Sequence, residues 1–163
     1  MYLYFLRHGE AEPYVQSDFD RELTIEGINA ATIVGKALCK MKIPFSSALV
    51  SPLVRAQQTL RFVSEQLHTF PQETHEHLTP GSDPRTLFSE LKHFSGDSHL
   101  LLITHEPFAS TAISNLISGT NESRVIMKTT NLCCVEVGSI IQKAAGKLLW
   151  LLTPEQMKLM IQT

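Results

Sequence analysis

Arg7 and His8 in "LRHGEAE", Arg55 in "SPLVRAQQT" and His105 in "ITHEP" are the residues of this chain best suited to chemistry. Arginine is a planar, permanently charged fork that meets phosphate oxygens two at a time. A neutral imidazole can attack phosphorus and form a covalent phosphohistidine. A second imidazole, once protonated, stabilises the negative charge that spreads over the oxygens in the transition state. Gly9 follows the first pair; without a Cβ it lets the backbone turn sharply and lets a phosphate come close. Such arginines and histidines, beside a helix N-terminus with free N–H groups, make an anion site. It is suited to phosphoryl transfer through a phosphoenzyme, with no metal and no cofactor.

Taken singly, each of these residues is ordinary in a turn, a cap or a solvated face. Their placement relative to the elements sets them apart. Residues 2–6 are apolar throughout and read as a strand buried on both faces, as do residues 99–104. "SALVSP" (47–52) is a short apolar run whose Ser51-Pro52 reads as a helix N-cap followed by proline at the first helical position, with the helix running through Leu60, Val63 and Leu67. Thr24 caps a helical pattern over 25–41, Asp83 and Pro84 open another, and Pro107 opens a further one through Ile113 and Leu116. "NLCCVEV" (131–137) and "KLLWLL" (147–152) read as strands, and Thr153-Pro154 starts a last short helix.

Strands alternating with helices imply a three-layer α/β/α sandwich with a mainly parallel sheet. In open sheets of this kind ligands bind beyond the carboxyl ends of the strands. Arg7 and His8 stand where the first strand runs out, His105 where 99–104 runs out, and Arg55 in the first helical turn after the "SALVSP" run. Distant parts of the chain thus deliver all four to one edge of the sheet.

Bulk composition narrows the rest. The chain has 163 residues, 43% hydrophobic and 18% charged, ordinary values for one globular domain over 1–163. A formal net charge of -2 argues against a nucleic-acid binder working through a broad basic surface. There is no apolar run long enough to span a membrane and no signal-peptide pattern at the N-terminus. The odd count of three cysteines, Cys39, Cys133 and Cys134, reads as reduced thiols in a cytoplasmic protein.

The blocks "LRHGEAE" (6–12), "SPLVRAQQT" (51–59) and "ITHEP" (103–107) resemble, in order and spacing, the signature of the histidine phosphatase superfamily, which is phosphoglycerate mutase-like in fold. The resemblance implies His8 as nucleophile, Arg7 and Arg55 as phosphoryl clamps and His105 as the residue that completes the pocket. "SDFDRELTIEG" (17–27) and "HLTPGSD" (77–83) resemble blocks of its small SixA-type phosphohistidine phosphatases. That branch implies a phosphohistidine on a partner protein, such as a histidine phosphotransfer domain or a phosphocarrier, as substrate. It also implies that Arg21 reaches the phosphate pocket; an ion pair to Asp18 or Asp20 that anchors the loop is the other reading. There is no long insertion between the blocks to form a lid.

Glu106 stands directly after His105. It is either a proton donor to the leaving group or a carboxylate capping the helix that Pro107 opens. A phosphohistidine needs little acid assistance, because a protonated imidazole leaves readily. Glu10, Glu12 and Tyr14 are partner contacts or loop residues. Three other readings compete: a surface metal pair from His75 and His77 with Glu73 on the same strand face, a non-catalytic phosphoprotein-binding module, and a phosphatase for small phosphate esters.

Overall fold

The computed structural model describes residues 1–13, 17–138 and 141–162. Its elements run β1 (Tyr2–Arg7), α1 (Ile25–Met41), β2 (Ser47–Val50), α2 (Val54–Ser64), β3 (Gln72–Thr74), α3 (Pro84–Glu90), β4 (His99–Thr104), α4 (Phe108–Ser118), β5 (Leu132–Glu136), β6 (Lys147–Leu152) and α5 (Pro154–Gln162). The strands form one sheet in the order β3-β2-β4-β1-β5-β6. The pairs β1–β4, β2–β4 and β2–β3 are parallel, while β5 runs antiparallel to both β1 and β6.

The apolar runs of β1 and β4 need no polar side because helices cover both faces. Leu3, Phe5, Leu100, Leu102, Cys133 and Val135 pack one way, under α3 and α4. Tyr4, Leu6, Leu101, Ile103, Leu132 and Cys134 pack the other way, under α1, α2 and α5. The adjacent thiols Cys133 and Cys134 are both buried and free, one in each core, as strand alternation requires. Burial pushes the Cys133 thiol up to about 12 and that of Cys134 up to about 11, so both are inert. Among the described residues no helix is long and apolar enough to cross a membrane.

Helix α1 starts where its cap predicts: the Thr24 hydroxyl accepts the Gly27 N–H at 3.0 Å. Asp83 likewise accepts the Arg85 N–H at the head of α3. The start of α2 differs from expectation. Its N-cap is Leu53, and Ser51-Pro52 form a turn before it. The Val54 N–H is taken instead by the Phe19 carbonyl at 3.1 Å. The helix also stops at Ser64, with a turn carrying the chain on to Leu67. Pro107 is the N-cap of α4 and lies outside the first helical turn.

The strand expected to hold Glu73, His75 and His77 on one face ends at Thr74. Its neighbour in the sheet, β2, stops at Val50, whose carbonyl takes the His75 N–H, so among the described residues no ladder continues beyond that point. The chain turns into a 3-10 turn at Glu76–Leu78. Both histidines then meet the Glu90 carboxylate, His75 at 2.9 Å and His77 at 3.3 Å. Among the described residues no group of three or more His, Cys, Asp or Glu side chains is placed to hold a metal ion.

Candidate active site

Register builds the site. Parallel pairing sets Arg7 opposite Thr104 and Val50 opposite Ile103, so His8, Ser51 and His105 emerge side by side from three neighbouring strands. The His8 N–H still bonds the Thr104 carbonyl at 3.0 Å, and the Ser51 N–H bonds Ile103 at the same distance. Because β5 is antiparallel, the segment before it arrives at this edge too. The Thr130 N–H bonds the carbonyls of Arg7 (3.0 Å) and His8 (3.2 Å). Together these ends surround an open cavity of about 400 Å³ whose lining includes Arg7, His8, Asp18, Arg21, Arg55 and His105.

His8 is only 8% exposed. Its Nδ1 lies 2.7 Å from the Gly9 carbonyl, which can only accept, so Nδ1 carries the ring proton. Nε2 is therefore a lone pair, and Arg55 Nε donates to it at 3.2 Å. Burial first, then the positive charges of Arg55, Arg7 and Arg21, push His8 down to about 4, against the raising effect of the Gly9 bond. His8 is thus a neutral imidazole of fixed tautomer at neutral pH.

Gly9 acts differently from expectation. It is not among the residues lining the cavity. Its N–H is taken by Thr59 Oγ1 at 3.0 Å. A Cβ there would come within 2.9 Å of the Gly27 carbonyl and 3.0 Å of Leu23. The missing side chain lets the loop press against the start of α1, and the Gly9 carbonyl orients His8. Gly27 is the other half of this contact, since its own Cβ would lie 2.1 Å from the Glu10 carbonyl oxygen.

Arg55 is 3% exposed. It reaches past His8 to Asp18, with Nη1 donating to the backbone carbonyl at 2.6 Å and Nη2 to Oδ2 at 3.0 Å. Arg21 pairs with the same carboxylate at 3.0 Å and also donates to the Glu12 carbonyl at 2.6 Å. Arg21 thus lines the cavity and also anchors the loop through Asp18. The hydrogen bond from Arg21, opposed by some burial and aided by Arg55, holds the Asp18 carboxyl below its ordinary range. Arg7 donates through Nη1 to the Met127 carbonyl at 2.8 Å, while its buried Nε has no partner among the described residues. Burial lowers the Arg7 pKa, Glu106 opposes this, and Arg55 adds to it.

His105 is 1% exposed, and its ring centroid lies 4.8 Å from that of His8. Burial, then His8 and Arg55, push it down to about 3. His105 therefore rests neutral, and an arriving phosphate would have to supply the counter-charge for the protonated form that stabilises the transition state. His105 Nε2 meets Ser51 Oγ at 2.7 Å. Glu106 fills its capping role, its carboxylate accepting from the Ser110 N–H (3.2 Å) and hydroxyl (2.6 Å). It also lines the cavity. Glu10 lines both this cavity and an adjoining groove of about 560 Å³ that also includes Ile126, Lys128 and Glu155. Tyr14 lies outside the described residues.

Sequence reasoning missed three contributors. In the sequence Ser51 has the form of a helix cap. Asp18 suggests only an anchor for Arg21, not a partner of Arg55. The 127–130 segment carries no motif, and only the antiparallel run of β5 brings it here.

Comparison with known proteins agrees with this geometry. The model of the histidine phosphatase superfamily (branch 1) matches residues 3–79. Over that segment, just under half of its length, the chain is similar to the histidine phosphatase superfamily, and its relatives support an activity of the histidine-phosphatase type, that of a phosphatase. Within that class it is similar to phosphohistidine phosphatase SixA of Escherichia coli (strain K12), with 27% identity over 98% of each chain. It is also 29% identical to a SixA homolog of Haemophilus influenzae, over 74% of this chain and 80% of that one. A solved structure of the protein histidine phosphatase SixA complexed with tungstate superposes with a TM-score of 0.87 at 27% identity, covering 97% of this chain and all of the other.

Proposed function

We propose that this protein removes the phosphoryl group from phosphohistidine on a signalling partner, through a covalent phosphohistidine on His8. One observation carries the reading: His8 is held neutral with Nδ1–H on the Gly9 carbonyl, leaving the Nε2 lone pair at the cavity beside Arg55. In this mechanism Arg7 and Arg55 hold the phosphoryl oxygens, with Arg21 at the mouth. His8 Nε2 attacks phosphorus as the P–N bond to the substrate imidazole breaks. That bond's electron pair leaves with the imidazole, which departs already protonated on its other nitrogen. Water then attacks phosphorus, the P–Nε2 electron pair returns to His8 Nε2, and phosphate leaves carrying the water's oxygen and its protons. His105 faces the charge that gathers on the oxygens.

The SixA relatives support phosphohistidine as the substrate class. The openness of the cavity and the groove continuing from Glu10 and Thr129 support a protein as its bearer, such as a histidine phosphotransfer domain or a phosphocarrier. One domain over 1–163 carries the whole apparatus in this reading.

The test is phosphate release from phosphohistidine proteins and from small phosphate esters, with His8→Ala as control. Turnover is expected to be lost in His8→Ala, and the rapidly quenched native enzyme to carry an acid-labile, alkali-stable label. Near-normal activity in the variant, or an acid-stable phosphoenzyme, refutes the mechanism. Preference for small esters overturns the substrate assignment.

A further inference from the structure

We propose that Ser51 is a positioning residue: its buried hydroxyl donates to His105 Nε2 and thereby keeps the ring proton of His105 on Nδ1, ready for a phosphoryl oxygen. The inference rests on the site assigned above and concerns how that site is prepared before substrate arrives.

Neutral histidine has one N–H and one lone pair, and which nitrogen carries the proton is set by its partners. Ser51 Oγ lies 2.7 Å from His105 Nε2, and Ser51 has no solvent exposure. The hydroxyl holds a single hydrogen. Its oxygen already receives the Leu53 N–H, at 3.4 Å, in the turn that leads into α2. Among the described residues no other group accepts from it; the neighbouring Gln57 amide bonds the Ser51 backbone carbonyl instead. If Nε2 carried the proton, the serine hydrogen would be buried with no acceptor. With the serine hydrogen on Nε2, the imidazole proton sits on Nδ1 and the Ser51 hydroxyl is satisfied.

Nδ1 is the nitrogen that needs a partner. It is buried and has none among the described residues. The ring borders the cavity that Arg7, Arg21 and Arg55 also line, and it stands beside His8. An N–H there meets a phosphoryl oxygen as a donor aimed at developing charge. The opposite tautomer presents a lone pair to an anion, and binding then requires the proton to move first. Burial holds His105 neutral before binding, down to about 3, so the tautomer matters at working pH. The serine also suits the next state. When phosphate draws a proton onto the ring, both nitrogens become donors, and the hydroxyl can rotate to accept from Nε2 without any heavy atom moving.

This accounts for the departure at the head of α2. Ser51 is not the N-cap of that helix, because its side chain is turned to His105 at the end of β4. Pro52 and Leu53 carry the chain from β2 into a helix that starts later.

Histidine ring ¹⁵N NMR on the full chain tests the proposal directly, with inorganic phosphate as the probe. The free protein at pH 7 is expected to show a protonated Nδ1 and a lone-pair Nε2 on His105. In Ser51→Ala the proton is expected to move largely to Nε2. Phosphate affinity and kcat should fall by roughly tenfold to a hundredfold, the range seen by analogy when the outer hydrogen-bond partner that orients a ligating histidine is removed. Ser51→Thr keeps a hydroxyl and should restore the Nδ1–H signal. A free protein with Nε2 protonated overturns the proposal whatever the variants do, as does a Ser51→Ala protein with unchanged tautomer and phosphate affinity. The tautomer is read without turnover, so failure to hydrolyse phosphohistidine would count against the proposed function and leave this inference standing.

Discussion

Acidification should destabilise this protein through His8 and His105 in a way that ordinary surface histidines cannot. Burial first, with the nearby arginines and, for His105, His8 adding to it, holds the two rings at about 4 and about 3, against 6.5 for an unperturbed histidine. The unfolded chain therefore takes up protons near pH 6.5 while the native protein does not. The stability from these two neutral rings is fully present above about pH 6.5 and is lost as pH falls toward the native values. Between pH 7 and pH 5 each ring costs about 2 kcal/mol, from 1.36 kcal/mol per pH unit over the part of that range where the unfolded histidine is charged. A pair costs about 4 kcal/mol, a large part of the stability of a small domain. Urea unfolding of the native protein, His8→Asn and His105→Asn at pH 7, 6 and 5 measures this. Each variant should lose about 2 kcal/mol less than the native protein over the same span. Parallel pH slopes in all three proteins would refute the electrostatic picture, and with it the view of His8 as a base kept free by its surroundings. The same shift has a kinetic face: kcat/KM should show no acid limb from His8 until about pH 4.

Three further perturbations probe the machinery around the rings. Asp18→Asn removes the carboxylate that competes with phosphate for Arg55 and Arg21; inhibition by inorganic phosphate should tighten severalfold, and an unchanged or weaker inhibition constant would show that Asp18 holds the arginines in place instead. Gly27→Ala forces a Cβ to within 2.1 Å of the Glu10 carbonyl unless the loop moves; a loss of about 1–3 kcal/mol in denaturant unfolding is expected, together with reduced turnover because that loop carries His8. Glu106→Gln should slow hydrolysis of aryl phosphate esters more than that of phosphohistidine, since an ester oxygen needs a proton to leave. Equal effects on both substrates would restrict Glu106 to capping α4 through Ser110.

Much of the fold was legible because its signals are local. The doubly apolar runs of β1 and β4 could only lie inside a covered sheet, and Thr24 and Asp83 mark helix starts through contacts two or three residues away. Signals failed where a residue's partner is remote. Ser51-Pro52 has the form of a helix start, yet the hydroxyl goes to His105 on another strand. Glu73, His75 and His77 alternate as in a strand, yet β2 ends too soon to hold them in one. Gly9 reads as room for a phosphate, yet the space it leaves is filled by the backbone of α1.

For the site, residue types and their positions at the ends of apolar runs were enough to name Arg7, His8, Arg55 and His105 and the phosphoryl chemistry they suit. Those properties travel with each residue and its near neighbours in the chain. What state each group is in was decided only by tertiary structure. The proton on His8 Nδ1, the neutral form of His105, the Asp18 carboxylate shared between two arginines and the Ser51 hydroxyl behind the second imidazole all depend on burial and on contacts across the fold. Protonation and hydrogen bonding respond to distance and dielectric, and neither exists until the strands have brought their ends together.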